Sequence, residues 1–191
     1  GNPRNNMADE RFSPTYFHDV GMKITSPSRM DSTFYAFDIN TYPVQSVWFD
    51  PTNPDTLNVI AYSSASSLIS AGTWANGVWY VCEYYGGLYT VEPTTGDMIL
   101  IGGSTQLNGL GYVDTSGTMY GCDSTNLYIV DRNSGVTTMV GPMNNAGIMI
   151  DMAIDSYGNA YGVDIIDNNL YSIDLSTGTA TIIGATGYTA N

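Results

Sequence analysis

From residue 74 onward, short apolar runs alternate with clusters of Gly, Asn, Asp, Ser and Thr. The run 127–131 contains Leu, Tyr, Ile and Val, which are residues that favour strands. It lies between Asn126 and a turn-like cluster, Arg132-Asn133-Ser134-Gly135. Asn and Gly accept the positive φ that tight turns demand. The pattern therefore predicts short antiparallel strands joined by hairpin turns.

Three segments repeat this pattern at intervals of about forty residues. They are NGVWYVCEYYGGLYTVEPTTGDMILIGG from Asn76, SGTMYGCDSTNLYIVDRNSGVTTMVG from Ser116 and GNAYGVDIIDNNLYSIDLSTGTATIIG from Gly158. Three landmarks each recur after 39 and then 43 residues. They are the first residue of a Leu-Tyr pair (Leu88, Leu127, Leu170), a turn glycine (Gly96, Gly135, Gly178) and a closing glycine (Gly102, Gly141, Gly184). Three landmarks with one spacing indicate one structural unit in three copies.

Each unit is predicted to contain four strands, because inner strands at 110–113 and 148–154 precede the first hairpin turns. The units extend over about 74–103, 109–141 and 148–184. Several strands lack a polar face, so both sides of each sheet must be covered. Radial stacking of four-stranded sheets achieves this. A solenoid of stacked hairpins also buries both faces, but the strand count favours an all-β propeller, complete or partial, of about four antiparallel blades.

The two ends of the chain are less regular. Residues 1–30 are predicted to be a leader or linker before a propeller over 31–191. Runs at 34–38 and 57–72 are candidate strands of an earlier, irregular blade. The tail after Gly184 resembles the start of another inner strand. The chain is therefore either a small four-bladed ring or a slice of a larger propeller, and an incomplete propeller is expected to form a homodimer.

The repeated string LY-x-[IV]-[DE]-x-x-[ST]-G-x-x-x-x-[IV]-G, seen in full from Leu127 to Gly141, resembles the blades of a known group of repeats. These are secreted bacterial propeller repeats, particularly those beside fibronectin-type or adhesin modules in Bacteroidetes surface proteins. The resemblance covers residues 74–184. It implies a secreted or cell-surface location, and it implies a fold far more firmly than a function.

The formal net charge of −13 limits the partners that the chain can bind. Four of the five basic residues lie in the first thirty residues, so the repeats lack the clustered Lys and Arg that nucleic acid and anionic membranes require. No apolar run reaches the roughly 20 residues of a membrane span. Protein or glycan ligands remain candidates. Gly1 resembles a residue left by tag cleavage, so we expect that an export signal was removed.

Catalytic chemistry finds little support in the sequence. His18 is the only histidine and precedes the repeats, which excludes a His-based zinc cluster or a Ser-His-Asp triad within them. No catalytic residue is predicted. The acidic residues recur with the repeat, which indicates carboxylates that accept turn N–H bonds. The alternative is a Ca²⁺ site, for which Asp164, Asp167 and Asn168 are the candidates; no other cofactor is expected.

Aromatic residues provide the candidate ligand site. Tyrosines that recur in every unit are expected in the core. The aromatic residues that do not recur are therefore the binding candidates, namely Trp48, Trp74, Tyr84 and Tyr85. Cys82 and Cys122, at equivalent places in consecutive units, are expected to be reduced and buried because stacked sheets lie about 10 Å apart.

These features lead to a ranked set of functional hypotheses. The first is a non-catalytic binding or scaffolding module of a secreted or cell-surface bacterial protein. The alternative is a carbohydrate-binding or carbohydrate-active domain, and an enzyme of another type comes third.

Overall fold

The computed structural model describes residues 33–65, 67–104 and 106–187, which form fifteen strands in four antiparallel sheets. The predicted leader 1–30 lies outside these residues. Blade 1 consists of β1 (Phe34–Asp38), β2 (Gln45–Phe49) and β3 (Asn58–Tyr62). Blade 2 consists of β4 (Ile69–Ala75), β5 (Val78–Glu83), β6 (Gly87–Val91) and β7 (Met98–Gly102). Blade 3 consists of β8 (Gly109–Val113), β9 (Thr118–Cys122), β10 (Asn126–Val130) and β11 (Thr137–Pro142). Blade 4 consists of β12 (Met149–Ile154), β13 (Ala160–Asp164), β14 (Asn169–Ile173) and β15 (Ala180–Ala185).

Every blade is a meander in which each strand pairs with the next strand along the chain. The innermost strands of consecutive blades lie side by side, β4 against β8 and β8 against β12. These observations confirm an all-β propeller of four blades. Among the described residues no helix has the length and apolar character that crossing a bilayer requires.

The strand register repeats from blade to blade. In blade 2, Cys82 pairs with Ala71 on one side and with Leu88 on the other, and Leu88 pairs with Gly102. We call this line of four residues the cross-blade row. Its members in blade 3 are Gly109, Cys122, Leu127 and Gly141, and in blade 4 they are Asp151, Val163, Leu170 and Gly184.

Blade 1 follows the same register but begins at its second strand. The register break between Ser46 and Val47 matches the one between Leu88 and Tyr89, which makes β2 equivalent to β6. β1 is then equivalent to β5, and β3 to β7. The strand predicted at 34–38 is confirmed. The predicted run 57–72 instead divides between two blades, because β3 ends at Tyr62 and β4 opens blade 2 at Ile69.

Acidic residues at the end of the third strand close the turn to the fourth strand. The Gly96, Gly135 and Gly178 N–H groups donate to the carbonyls of Glu92, Asp131 and Asp174, each at 2.7 Å. The acidic side chains accept a second bond from the residue two positions on, as Asp174 Oδ1 does from Ser176 N at 2.8 Å. All three glycines have positive φ, between 74° and 83°, which confirms the predicted turns.

Acidic residues at the end of the second strand bind a tyrosine of the third strand. The Tyr89 hydroxyl donates to Glu83 Oε2 at 3.1 Å, and the Tyr128 hydroxyl donates to Asp123 Oδ2 at 2.7 Å. Burial raises the pKa of Asp123, but the bonds from Tyr128 and from the Thr125 and Asn126 N–H groups outweigh it and hold the pKa below its ordinary value. Burial and the same carboxylate raise the pKa of Tyr128 to about 12.

Close backbone contacts join consecutive blades at the closing glycines. A Cβ atom at Gly102 would overlap the carbonyl oxygen of Ser134, which lies in the third turn of blade 3. A Cβ atom at Gly141 would overlap the carbonyl oxygen of Thr177 in the corresponding turn of blade 4. Glycine is therefore required at these positions by the neighbouring blade and not by the backbone conformation of its own strand.

The cross-blade rows of blades 2 and 3 are buried by these contacts. Cys82, Leu88, Cys122 and Leu127 have no solvent-accessible surface. The two cysteines are free, which confirms that they are reduced and buried. Burial raises the pKa of the Cys82 thiol to about 12 and also raises that of Cys122, so neither is a thiolate at neutral pH.

The tyrosine–carboxylate bond gives a first testable prediction. Replacing Tyr128 by Phe should reduce the free energy of unfolding by about 1 kcal/mol, because it removes a bond to an ionised but partly exposed acceptor. Tyr120→Phe in the same blade is the control, since the Tyr120 hydroxyl makes no hydrogen bond to a described residue. Urea denaturation of both variants measures the difference, and equal losses would show that the bond does not stabilise the blade.

Candidate functional site

A cavity of about 270 Å³ lies between blades 1 and 2, on the inner side of the array. β1 supplies Tyr35, Phe37 and neighbouring residues, and β4 supplies most of the remaining wall. Asp151 of β12 also lines it. The cavity therefore brings together three of the four blades.

Aromatic side chains form the floor and one wall of this cavity. Trp74 and Trp79 are paired across the β4–β5 hairpin, and their rings stack with centroids 6.1 Å apart and planes 10° apart. Tyr35 contacts both rings, at 5.6 Å from each, and Phe37 lies 5.2 Å from Trp79. We call these four residues the aromatic cluster. Such tilted and stacked pairs stabilise one another beyond the apolar area they bury.

The two tryptophans have different exposures. Trp79 is 4% exposed and belongs to the core, whereas Trp74 is 41% exposed. Trp79 holds the inner face of the Trp74 ring, so the indole of Trp74 presents its remaining surface to the solvent of the cavity in a fixed orientation. The equivalent positions in blade 3 are Tyr112 and Met119. Of these two blades, only blade 2 therefore carries the tryptophan pair.

Asp151 is the only carboxylate among the described residues that line the cavity. Its side chain reaches solvent, yet the surrounding strands displace much of its bulk hydration. This desolvation raises the pKa of its carboxyl above the ordinary value, against the opposing effect of the Met152 N–H, which donates to Oδ1 at 2.8 Å. In blades 2 and 3 the same place in the cross-blade row is taken by Ala71 and Gly109.

The predicted binding residues do not form one site. Trp74 lies in the aromatic cluster. Trp48, which is 40% exposed, lines a second cavity of about 420 Å³ together with Val59, Ile60 and Pro93. Tyr35 borders both cavities and pairs with Trp48 in the strand register.

Tyr84 and Tyr85 lie at the far end of the β4–β5 hairpin from Trp74. They follow Glu83, which pairs with Ile69, whereas Trp74 pairs with Trp79. Their rings contact each other edge to face at 5.1 Å, and Tyr85 is exposed. The structure therefore separates these tyrosines from the aromatic cluster.

The residues predicted for Ca²⁺ lie in the turn between β13 and β14. Asp164 is buried, and its Oδ1 accepts the N–H groups of Asp167 at 2.6 Å and Asn168 at 3.2 Å. Burial raises the pKa of Asp164, but the polar influence of the Tyr171 hydroxyl and the bonds from backbone N–H groups hold it below the ordinary value. Within 33–65, 67–104 and 106–187, no three His, Cys, Asp or Glu side chains are grouped to hold a metal. The Ca²⁺ site stays a prediction.

Sequence reasoning missed Tyr35, Phe37, Trp79 and Asp151. Tyr35 and Asp38 repeat the Tyr-x-x-acid spacing of Tyr80 and Glu83, so this spacing reveals β1 as a second strand. Once β1 is placed beside blade 2, its aromatic residues face the tryptophan pair. Asp151 is visible as a charged residue where the preceding units have Ala and Gly, but only after the inner strands are aligned.

The fold is similar to those of much longer proteins. One is a structural genomics protein of unknown function from Bacteroides thetaiotaomicron, with a TM-score of 0.61, 12% identity, and 80% of this chain matched to 41% of that one. Another is a chain of a nidogen/laminin complex, with a TM-score of 0.59, 12% identity, and 81% of this chain matched to 62% of that one. Both likenesses concern the fold alone, and this chain spans less than two thirds of either.

Comparison by sequence gives no relative. No protein-family model matches the chain, and no curated protein matches it. The function must therefore be inferred from the site.

The described residues that line the cavity offer groups that can contact a ligand. The cavity offers an exposed indole face, one carboxylate and backbone polar groups, without a thiolate. Glycoside hydrolysis by two carboxyl groups requires a pair about 5–10 Å apart. Among the described residues that line the cavity Asp151 is the one carboxylate, so these residues do not supply such a pair.

The raised pKa of Asp151 gives a second prediction. Because the folded state disfavours the ionised carboxyl, Asp151 costs stability at neutral pH, and the cost disappears as the pH falls through its raised pKa and the group takes up a proton. Asp151→Asn should therefore be more stable than the wild type at neutral pH, and the difference should shrink near pH 4.

Asp174→Asn is the matched control with the opposite sign. Bonds from the Ser176 hydroxyl and from backbone N–H groups hold the pKa of Asp174 below its ordinary value, so its stabilisation is present at neutral pH and is lost in acid. Urea denaturation at the two pH values measures both effects. A loss of stability at neutral pH in Asp151→Asn would contradict the desolvation of this carboxyl.

Proposed function

We propose that this chain is a non-catalytic binding or scaffolding module of a secreted or cell-surface bacterial protein, and that the cavity beside the aromatic cluster binds its ligand. The location rests on the resemblance of the blade pattern to secreted propeller repeats. The binding role rests on the cavity.

The exposed indole of Trp74 is the observation that carries the proposal. A large apolar surface that stays exposed while its other face is fixed against a buried tryptophan is typical of a ligand contact. Trp74 is not part of the buried core at this junction, which contains Trp79 with Tyr35 and Phe37 packed against it. Pre-ordering by Trp79 and Tyr35 also reduces the entropy that Trp74 loses when a ligand binds.

The charge of the chain narrows the ligand class. With Asp151 at the cavity and a formal net charge of −13, anionic ligands are repelled. A neutral or cationic ligand is therefore favoured. At about 270 Å³ the cavity is close to the lower limit of small-molecule sites, so it accommodates a single ring or one side chain of a larger partner.

A carbohydrate ligand is the second candidate, and Trp74 favours it. A flat indole face provides an apolar platform for the C–H face of a sugar ring, while the nearby carboxylate accepts hydroxyl bonds. A protein partner that inserts one side chain uses the same groups. The carbohydrate ligand and the protein partner are distinguished by testing binding with glycans and with proteins separately.

The test compares two tryptophans of equal exposure. A glycan array screened with the wild type, followed by fluorescence titration of the best neutral glycan, should show a loss of affinity of about tenfold or more for Trp74→Ala, the size expected for a central aromatic contact. Trp48→Ala should bind as the wild type does, because Trp48 lies in the other cavity.

Each failure has its own meaning. A folded wild type that binds no glycan would contradict the carbohydrate candidate. Binding that survives Trp74→Ala would place the ligand elsewhere. Turnover of chromogenic glycosides that Asp151→Asn abolishes would contradict a non-catalytic module.

A further inference from the structure

The contact that joins consecutive blades occurs at every junction between the described blades. In each case the third turn of a blade lies on the outermost strand of the preceding blade. A Cβ atom at Gly96 would lie 2.6 Å from Cβ of Ala61 in β3, and the turns containing Gly135 and Gly178 lie on Gly102 and Gly141. The junctions thus share one geometry.

The corresponding surface of blade 4 has no described neighbour. Gly184 is the closing glycine of β15, and no described atom lies within 4 Å of the place its Cβ would take. Gly102 and Gly141, its equivalents, are each covered by a carbonyl group of the next turn. Because residue 184 has no side chain, the surface above it has space for a contact that the described chain does not make.

The rest of the cross-blade row in blade 4 is open in the same way. Val163 and Leu170 are half-buried, whereas their equivalents Cys122 and Leu127 are fully buried beneath blade 4. These residues line a shallow groove of about 130 Å³ on the free face of the sheet. A groove in register with the two buried rows matches the face of a further blade junction.

The other end of the array carries the complementary part. In blade 1 the third turn begins at Asp50, whose Oδ1 accepts Thr52 N at 2.8 Å and Thr52 Oγ1 at 2.7 Å. The turn containing Asp174 has the same two bonds, to Ser176. Asn53 takes the place of Thr177, since its N–H donates to the carbonyl three residues before it. Residues 51–57 are exposed.

We propose that a second copy of this chain covers the free face of blade 4, with the third turn of its blade 1 lying on Gly184 of the first copy. The contact is head to tail, so it joins two different surfaces. It continues the junction geometry already present three times within one chain. The turn of blade 1 is longer than its equivalents, so the contact with Gly184 is looser than the one with Gly141.

Sedimentation velocity of the full chain over a range of concentrations tests this association. The wild type should pass from a 20.6 kDa monomer to a species of at least twice that mass. Gly184→Lys should raise the dissociation constant by about a hundredfold or more, because it places an unpaired charge in a packed contact.

Ile182→Lys is the matched control on the same strand. Ile182 is exposed, and its equivalents Leu100 and Met139 stay exposed although a blade follows them, so this position lies outside the junction. Its association should equal that of the wild type. Both variants should melt as the wild type does at a concentration where all three are monomers, since neither residue is buried within one chain.

Two results would overturn the proposal. One is a wild type that stays a monomer at every concentration. The other is association that Gly184→Lys leaves unchanged. Neither result bears on ligand binding at Trp74, because Gly184 does not line the Trp74 cavity.

Discussion

The close approach of one blade's turn to the closing glycine of the preceding blade is the constraint on which the array depends. The carbonyl of Thr177 occupies the space where a side chain at residue 141 would begin, and Ser134 does the same at Gly102. This close approach brings the cross-blade rows of neighbouring blades into contact, and Leu88 and Leu127 are thereby buried away from water. Burying one leucine side chain stabilises the fold by about 1.5–3 kcal/mol, so the glycines act mainly through the apolar contacts that they permit.

The cavity beside the aromatic cluster arises where this regular packing is modified. Blade 1 is joined to blade 2 through Ala61 instead of a glycine, and aromatic side chains pack in this junction. Tyr35 and Phe37 pack against Trp79, and Trp74 is left exposed above them. The cavity is thus a property of the junction between the two blades and not of either sheet alone, as is typical of ligand sites between structural elements.

The sequence predicted the blades well and the cavity poorly, for physical reasons. Turn chemistry is local, so Gly135 and the acidic turn residues could be read from spacing alone. Repeats of the same spacing then implied stacked sheets and buried cysteines. Contacts between Tyr35 and Trp74 depend on how two blades meet, and no local pattern encodes that meeting. Trp74 and Trp79 are residues of one type only five positions apart, and only their different exposure in the folded chain distinguishes them.

The most direct test of the contacts between turns and closing glycines compares the stability of Gly141→Ala with that of Gly184→Ala, at a concentration where the chain is a monomer. Both glycines hold the same place in the repeat, and in both strands alanine is otherwise the better residue. We expect Gly141→Ala to lower the free energy of unfolding in urea by about 2 kcal/mol or more through overlap with Thr177. Gly184→Ala should change it by less than about 0.5 kcal/mol. Equal effects of the two substitutions would contradict the view that turn-on-glycine contacts hold the blades together.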